Sequence, residues 1–183
     1  PSLENNAHLA VAHDVSWWLH VCALFGFMAY LPVSKHQHLI WVWPNFFFQS
    51  PRNSGHLSPM EFDDNAESFG AKNLEDLSWK QLLDGMACVE CGRCTAVCPA
   101  TQTGKKLDPR TIIHHLKEGI KQKSESKEKQ AVTMVDSIVS EEELWACTTC
   151  GACMQECPLQ IEHIPTIVDM RRYLTLTEGR MPT

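Results

Sequence analysis

Residues 88–99 read CVECGRCTAVCP, and residues 147–158 read CTTCGACMQECP. Both stretches follow the pattern C-x2-C-x2-C-x3-C-P, and together they hold eight of the nine cysteines in this 183-residue chain. Thiolates grouped at this spacing, with the trailing proline, are the ligands of [4Fe–4S] clusters. Because the complete pattern occurs twice, the sequence predicts two clusters and a chain that carries electrons.

The fourth cysteine of each motif sets the predicted ligand sets. Three cysteines spaced by two residues wrap three corners of a cubane from one loop, and in two-cluster ferredoxins the fourth ligates the other cluster. We therefore expect one cluster on Cys88, Cys91, Cys94 and Cys157, and the other on Cys147, Cys150, Cys153 and Cys98. Gly92 and Gly151 lie inside the loops, where a missing side chain would let backbone N–H groups approach cluster sulfur.

Two other uses of cysteine are less consistent with the spacing. Structural zinc takes four ligands, often as two C-x2-C pairs, but each motif here adds a third close cysteine and a Cys-Pro. Disulfides are disfavoured because the cysteines are grouped as ligand loops and no secretory signal peptide precedes them. The net charge of −6 implies no general attraction to nucleic acid.

An apolar segment precedes the motifs. Residues 15–34 contain no Asp, Glu, Lys or Arg, and twenty helical residues span about 30 Å, the thickness of a hydrocarbon core. Aromatic residues, typical of membrane interfaces, lie at 17–18 and again at 41–48. We predict a membrane segment over 1–48, with a transmembrane helix at about 14–40. The abrupt start suggests a piece of a longer or processed protein.

Two histidines in this segment have a helical spacing. His20 and His38 are eighteen residues apart, which is five helical turns and about 27 Å if the helix is continuous, although Pro32 is a candidate kink. Imidazole is an axial ligand of haem iron, and ionisable residues in a span are functional candidates. Two b-type haems, each completed by a histidine from another helix, are one interpretation. Interfacial histidines that only form hydrogen bonds are the other, and the spacing leaves both open.

The remainder of the chain is polar and predominantly helix-forming. Residues 49–78 are predicted as a linker, 79–176 as an α-helical two-cluster ferredoxin domain and 177–183 as a tail. Ser140 and Glu143 form a predicted capping box before the second motif. Strand signals are weak. Three helices are expected, at 74–85, at about 111–121 with Pro109 in the first turn, and at 164–176.

The membrane segment resembles a known family. From His20 to Trp41 it is similar to the last transmembrane helix of the gamma subunit of respiratory nitrate reductase and to membrane subunits of heterodisulfide reductase. In that family two histidines at this spacing each ligate a different haem b, so the resemblance implies this role for His20 and His38. The other haem ligands and the quinone site would then lie upstream or in a partner.

Residues 87–105 and 143–164 resemble the heterodisulfide-reductase-related iron–sulfur proteins, which include the electron subunit of anaerobic glycerol-3-phosphate dehydrogenase. The two resemblances imply a mostly α fold, in which the last helix of a cytochrome b-like membrane domain precedes an α-helical ferredoxin domain. Members commonly continue into a CCG domain, and the chain contains no Cys-Cys-Gly. A catalytic centre of that type is therefore absent from this sequence, and no other substrate-converting site is recognisable.

The expected function is electron transfer between haem b or quinone and a downstream CCG-type domain or a redox partner protein. Lys35 and the oxygen sensitivity of such clusters favour the cytoplasmic membrane, with the iron–sulfur domain on the cytoplasmic side. One alternative is a membrane-anchored iron–sulfur carrier without haem. The other is a redox sensor or structural protein, and the sequence has no DNA-reading motif that would favour it.

Overall fold

The structure, a computed structural model, describes residues 2–50, 57, 59–60, 68–125 and 131–182. Within these residues it is mostly helical and contains no strand, only the isolated bridges Asn73–Thr133 and Val135–Val139. The predicted mostly α fold class is therefore confirmed. The chain divides into two compact units, Pro1–Ile40 and Trp41–Thr183.

Helix α1, Ser2–Tyr30, dominates the first unit. Two 3-10 turns follow it, Leu31–Val33 and Lys35–Gln37. The stretch Ala7–Val33 is long and apolar enough to cross a membrane. We expected one helix over about 14–40, but α1 ends earlier because Pro32 has no N–H to continue the hydrogen-bond ladder and disfavours helical geometry in the residue before it.

Helix α2 spans His38–Phe47, and all the helices that follow it lie in the second unit. They are α3 (Trp79–Ala87), α4 (Arg93–Ala96), α5 (Pro99–Gln102), α6 (Pro109–Glu125), α7 (Glu141–Ala146), α8 (Ala152–Gln155) and α9 (His163–Arg172), which continues into one π turn, Tyr173–Thr177.

The helices that lead into the two cysteine motifs begin in the same way. The Ser140 hydroxyl accepts from the Glu143 N–H at 3.3 Å, and the Glu143 carboxylate accepts from the Ser140 N–H at 2.8 Å, so the predicted capping box is confirmed. Ser78 and Gln81 form the equivalent box at the start of α3. Each box satisfies backbone donors that a helix start leaves free, so it fixes where the helix begins before each motif.

The hydrophobic core joins α6, α7 and α9 with the segment that precedes α3. Its most buried side chains are Leu74, Ile112, Leu116, Met134, Val139, Leu144, Ile167, Met170 and Leu174. The predicted linker 49–78 therefore ends earlier than expected, since Ala71, Leu74 and Leu77 are buried in this core. The predicted tail also makes contacts, because Arg180 pairs with Asp136 at 2.6 Å.

Gly70 lets the segment before α3 approach α9 closely. Its φ is +82°, and the following Ala71 N–H donates to the Asp169 carbonyl at 2.9 Å. A Cβ at position 70 would lie 2.3 Å from both the Asp169 carbonyl oxygen and the Tyr173 nitrogen. Only glycine fits this contact without a shift of backbone.

We expect Gly70→Ala to destabilise the protein more than Gly104→Ala. Both glycines have positive φ, which costs about 1–2 kcal/mol for alanine. A Cβ at Gly104 meets nothing within 4 Å, so only the change at Gly70 adds a backbone clash. Thermal unfolding followed by circular dichroism measures the difference, and equal losses in the two variants would contradict the close packing at Gly70.

Candidate metal centres

Two cavities in the second unit are lined by thiols from both motifs. Cys88, Cys91, Cys94 and Cys157 line the first cavity. Cys98, Cys147, Cys150 and Cys153 line the second. The structure thus brings the cysteines together in the two crossed sets that the spacing predicts. Their role as cluster ligands stays a prediction.

The four thiols of each set border one cavity. Among the described residues, no three His, Cys, Asp or Glu side chains lie close enough together to hold a single metal ion. A zinc ion draws its sulfur ligands to about 2.3 Å from one centre, whereas a cubane is bound at four separate iron corners. Four thiols around each cavity are the donor set of a [4Fe–4S] cluster, so these eight cysteines would hold the clusters.

The second cysteine is exposed in both motifs. Cys91 and Cys150 are exposed, whereas Cys88, Cys153 and Cys157 are buried. Each cavity therefore has one solvent-facing edge, at the second cysteine of its loop.

The two loops share an unusual backbone path. Glu90 has φ of 57° and Gly92 has φ of 82°, and Thr149 and Gly151 repeat these values at 54° and 81°. A Cβ at Gly92 meets nothing within 4 Å, so this position needs glycine for its left-handed φ. In each loop the first cysteine sulfur accepts a backbone N–H at 3.4 Å, from Glu90 in the first loop and from Thr149 in the second.

Burial makes the thiols hard to ionise in the absence of a metal. Desolvation raises the pKa of Cys88 to about 11 and that of Cys153 to about 12. It also raises the pKa of Cys94, Cys147 and Cys157. Because the thiolate is the ligand form, binding of a cluster must displace these protons, and the bound iron must offset the cost of burying the charge.

A cation supports the first cysteine of each motif, buried Lys117 in the first and half-buried Arg171 in the second. The Lys117 ammonium donates to the Cys88 carbonyl at 3.1 Å, and its side chain is only 7% exposed. The Arg171 guanidinium donates to the Leu144 carbonyl at 2.8 Å and also to the Cys147 carbonyl. These contacts fix the path of the chain into each loop and place one positive charge beside each thiol set.

The two cations differ in their surroundings. Lys117 pairs with the Glu90 carboxylate at 3.0 Å, so much of its charge is offset. Arg171 lies 5.1 Å from the Trp145 ring centroid, and no carboxylate within the described residues pairs with it. Sequence reasoning missed both roles. Only Lys117 had a signal, because it lies four residues after buried Ile113 on the apolar face of α6.

His163 also lines the first thiol cavity, and sequence reasoning did not single it out. It is 2% exposed, and burial lowers its pKa to about 4. Its Nδ1 lies 3.1 Å from the Ile161 carbonyl oxygen, so the neutral ring donates from this nitrogen. The side chain is neutral at pH 7 and fills space beside the thiols.

The two candidate haem ligands lie on different helices. His20 is an exposed residue of α1, and His38 is the half-buried first residue of α2. The 3-10 turns at 31–37 separate the two helices. The five-turn spacing expected for a continuous helix therefore does not apply, and haem ligation stays a prediction.

Comparison with known proteins identifies the domain that carries the motifs. Residues 85–161 match the family described as a 4Fe-4S dicluster domain. The chain therefore carries a 4Fe–4S domain, and iron–sulfur chemistry is the class of function that fold and site define. No solved structure matches the chain.

Curated relatives extend the similarity over most of the chain. It is 39% identical to the "Probable iron-sulfur-binding oxidoreductase FadF" of Bacillus subtilis, over 94% of this chain and 30% of the relative. It is 36% identical to the "EtfAB:quinone oxidoreductase" of Syntrophomonas wolfei, over 93% of this chain and 27% of the relative. A "Probable membrane-anchored ferredoxin" of Chromohalobacter salexigens is 37% identical over 72% of this chain and 22% of its own length.

The predicted relationship to heterodisulfide reductase is confirmed in part. Five C subunits of heterodisulfide reductases are 28–34% identical over 54–58% of this chain. The resemblance to the gamma subunit of nitrate reductase is not supported by these relatives. The chain spans less than a third of the length of the three relatives described above, so the activity of the whole protein is a matter for proposal.

Pairs of substitutions test the crossed ligand sets. Cys88 and Cys157 belong to one predicted set, so changing both to alanine removes one cluster and leaves about half of the iron. Cys147 and Cys157 belong to different sets, so changing both removes nearly all the iron. Iron and acid-labile sulfide per chain are the measurements. The control is Cys22→Ala, outside both motifs, and the reverse order of the two pairs would show uncrossed ligation.

Lys117→Gln should lower the reduction potential of one centre. Reduction adds negative charge to the centre, and the buried Lys117 ammonium stabilises that charge. Loss of the ammonium should therefore lower the reduction potential by tens of millivolts, on the order of 1 kcal/mol. A redox titration followed by electron paramagnetic resonance measures the shift. Lys121→Gln is the control because Lys121 is exposed on the same helix. An unchanged potential in the Lys117 variant would limit this lysine to a structural role.

Proposed function

We propose that this chain is the electron-transfer part of a membrane-associated iron–sulfur oxidoreductase. The observation that carries the proposal is the pair of thiol cavities, each lined by the last cysteine of the other motif. Two [4Fe–4S] clusters, when bound, supply one-electron carriers whose potentials depend on burial, charge and hydrogen bonds. Because each ligand set takes one cysteine from the other motif, the two sets are joined in one rigid unit.

The protein's own residues have three tasks in this function. The core beneath the loops keeps water from the inner thiols and limits rearrangement when charge changes. Lys117 and Arg171 hold the chain at the first cysteine of each motif and supply a positive charge there. The exposed Cys91 and Cys150 leave one edge of each cavity accessible to a donor or acceptor.

Two observations support an exchange of electrons at a membrane. Ala7–Val33 is a candidate span, and one relative is named a membrane-anchored ferredoxin while another is named a quinone oxidoreductase. The proposed route runs between haem b or quinone and a downstream heterodisulfide-reductase-like domain or redox partner. The proposed location is the cytoplasmic membrane, with the iron–sulfur domain on the cytoplasmic side.

Haem is the finer part of this proposal. His20 and His38 would each ligate one haem b, with the second ligands supplied by helices outside this chain. Uncharged surroundings support the assignment of His20, which lies within the candidate span. A carrier without haem shares every feature of the second unit and differs only at these two histidines.

A cofactor inventory of the longest native form, extracted anaerobically in detergent, tests the function. We expect about eight iron and eight acid-labile sulfide per chain, bleached on addition of a reduced quinone analogue. Zinc in place of iron would overturn the electron-transfer function. Bound b-type haem that decreases in both His20→Ala and His38→Ala supports the haem assignment, and full iron without haem leaves a membrane-anchored carrier.

A further inference from the structure

A short segment after the candidate span is fixed to the iron–sulfur domain through one buried amide. This segment, residues 41–50, belongs to the second unit. Within it Asn45 is completely buried, at 0% exposure, and its amide Nδ2 donates to the Leu159 carbonyl at 2.9 Å. Leu159 lies two residues after Cys157, so Asn45 holds the loop that carries one of the cysteines of the first cavity.

The other side of the Asn45 amide binds the helix that enters the same cavity. Its Oδ1 accepts from the Lys80 ammonium at 3.0 Å, and Lys80 also pairs with the fully buried Asp84 at 2.7 Å. Both residues lie on α3, which leads directly into Cys88. One asparagine therefore contacts both chain segments that border the first thiol set.

Two further hydrogen bonds extend this attachment along the loop. The Ser50 N–H donates to the Glu162 carboxylate at 3.0 Å, and the Gln49 amide donates to Gln160 Oε1 at 2.9 Å. All the bonds named here go to α3 or to residues 159–162. They attach the segment to the elements around the first cavity.

The outward side of the same segment is aromatic. We call it the aromatic face, and it consists of Trp43, Phe46, Phe47, Phe48 and Trp79. The side chains of Trp43 and Phe47 are 76% and 82% exposed. Trp79, the first residue of α3, is 61% exposed, and its ring meets that of Phe48 edge to face at 5.1 Å. Five exposed aromatic side chains on one side of the domain mark a surface that binds something apolar.

We propose that the aromatic face rests in the interfacial layer of a lipid bilayer, and that Asn45 thereby holds the Cys157 thiol set on the membrane side of the domain. Two features identify lipid as the occupant. The face begins at Trp43, only ten residues after the candidate span ends at Val33. Residues 39–50 carry no charge, and tryptophan with phenylalanine is the composition that bilayer interfaces favour.

This inference rests on the proposed membrane association and deepens it. The membrane would contact the domain through Trp79 and not only through the anchoring helix. The first thiol set, on Cys88, Cys91, Cys94 and Cys157, would lie nearer to a membrane donor or acceptor. The second set would lie nearer to the downstream domain or soluble partner.

Photo-crosslinking from exposed Trp79 and half-buried Trp145 tests the proposal. Trp79 and Trp145 each lie in the helix before a cysteine motif, but Trp145 packs against Arg171 and not on the aromatic face. p-Benzoylphenylalanine replaces each in turn in the full-length protein, reconstituted in phosphatidylcholine vesicles. After illumination, mass spectrometry detects a phospholipid adduct. We expect at least about tenfold more lipid adduct at position 79 than at position 145.

Other products at position 79 overturn the proposal. Equal lipid labelling at both positions shows that the domain does not rest on the membrane by this face. A crosslink to a second copy or to another protein shows that protein covers the face. Vesicle flotation and iron content are measured before illumination. Loss of flotation or iron counts against the proposed function, whereas full flotation and iron without an adduct at 79 counts against this inference alone.

Asn45→Ala tests whether the two hydrogen bonds of this amide hold the segment on the domain. The variant loses both amide hydrogen bonds, and we expect it to keep its iron while the lipid adduct at position 79 falls severalfold. An unchanged adduct would overturn the role of Asn45. Because the crosslinking at positions 79 and 145 is done with Asn45 intact, the membrane contact is decided even if this variant does not fold.

Discussion

The structure of the second unit depends on the exchange of one cysteine between two loops. Cys157 joins the thiols of the first motif, and Cys98 joins those of the second. Neither set is complete without the other loop, so the residues between the motifs must return the chain to its starting point. Helix α6 and the core around Leu116, Leu144 and Met170 perform this task. The interior is packed to hold two short loops in register.

The two halves of the site repeat one local design and differ in charge. Each motif follows a serine-capped helix and contains two left-handed backbone positions. In each motif a cationic side chain donates a hydrogen bond to the carbonyl oxygen of the first cysteine. The carboxylate of Glu90 offsets Lys117, whereas Arg171 faces the ring of Trp145. A positive charge favours the reduced state of a nearby redox centre, so the two sites are electrostatically unequal. In the proposed electron-transfer function, this inequality would make one of the two clusters easier to reduce than the other.

Within the second unit, polar contacts connect the aromatic segment to one of the two cavities. Asn45, Lys80 and Glu162 connect the aromatic segment to the elements that border the first cavity. A buried amide with partners on both sides specifies one arrangement, because any other leaves polar groups unpaired. In the proposed membrane contact, these polar contacts would orient the domain and the apolar side chains outside them would supply contact area. Orientation matters for an electron carrier because distance to the donor limits the rate of transfer.

The sequence alone determined the features that depend on near neighbours. Cysteine spacing predicted the two thiol sets that line the cavities, Ser140 and Glu143 predicted a helix start, and the uncharged stretch predicted the candidate span. Only the tertiary structure decided which isolated polar residues are buried and what they bind. Asn45 meets Leu159, Lys117 meets Cys88 and Gly70 meets Asp169 across long stretches of chain. Spacing fixes geometry within one loop, but the cost of burying a polar group depends on the partner that folding places opposite it.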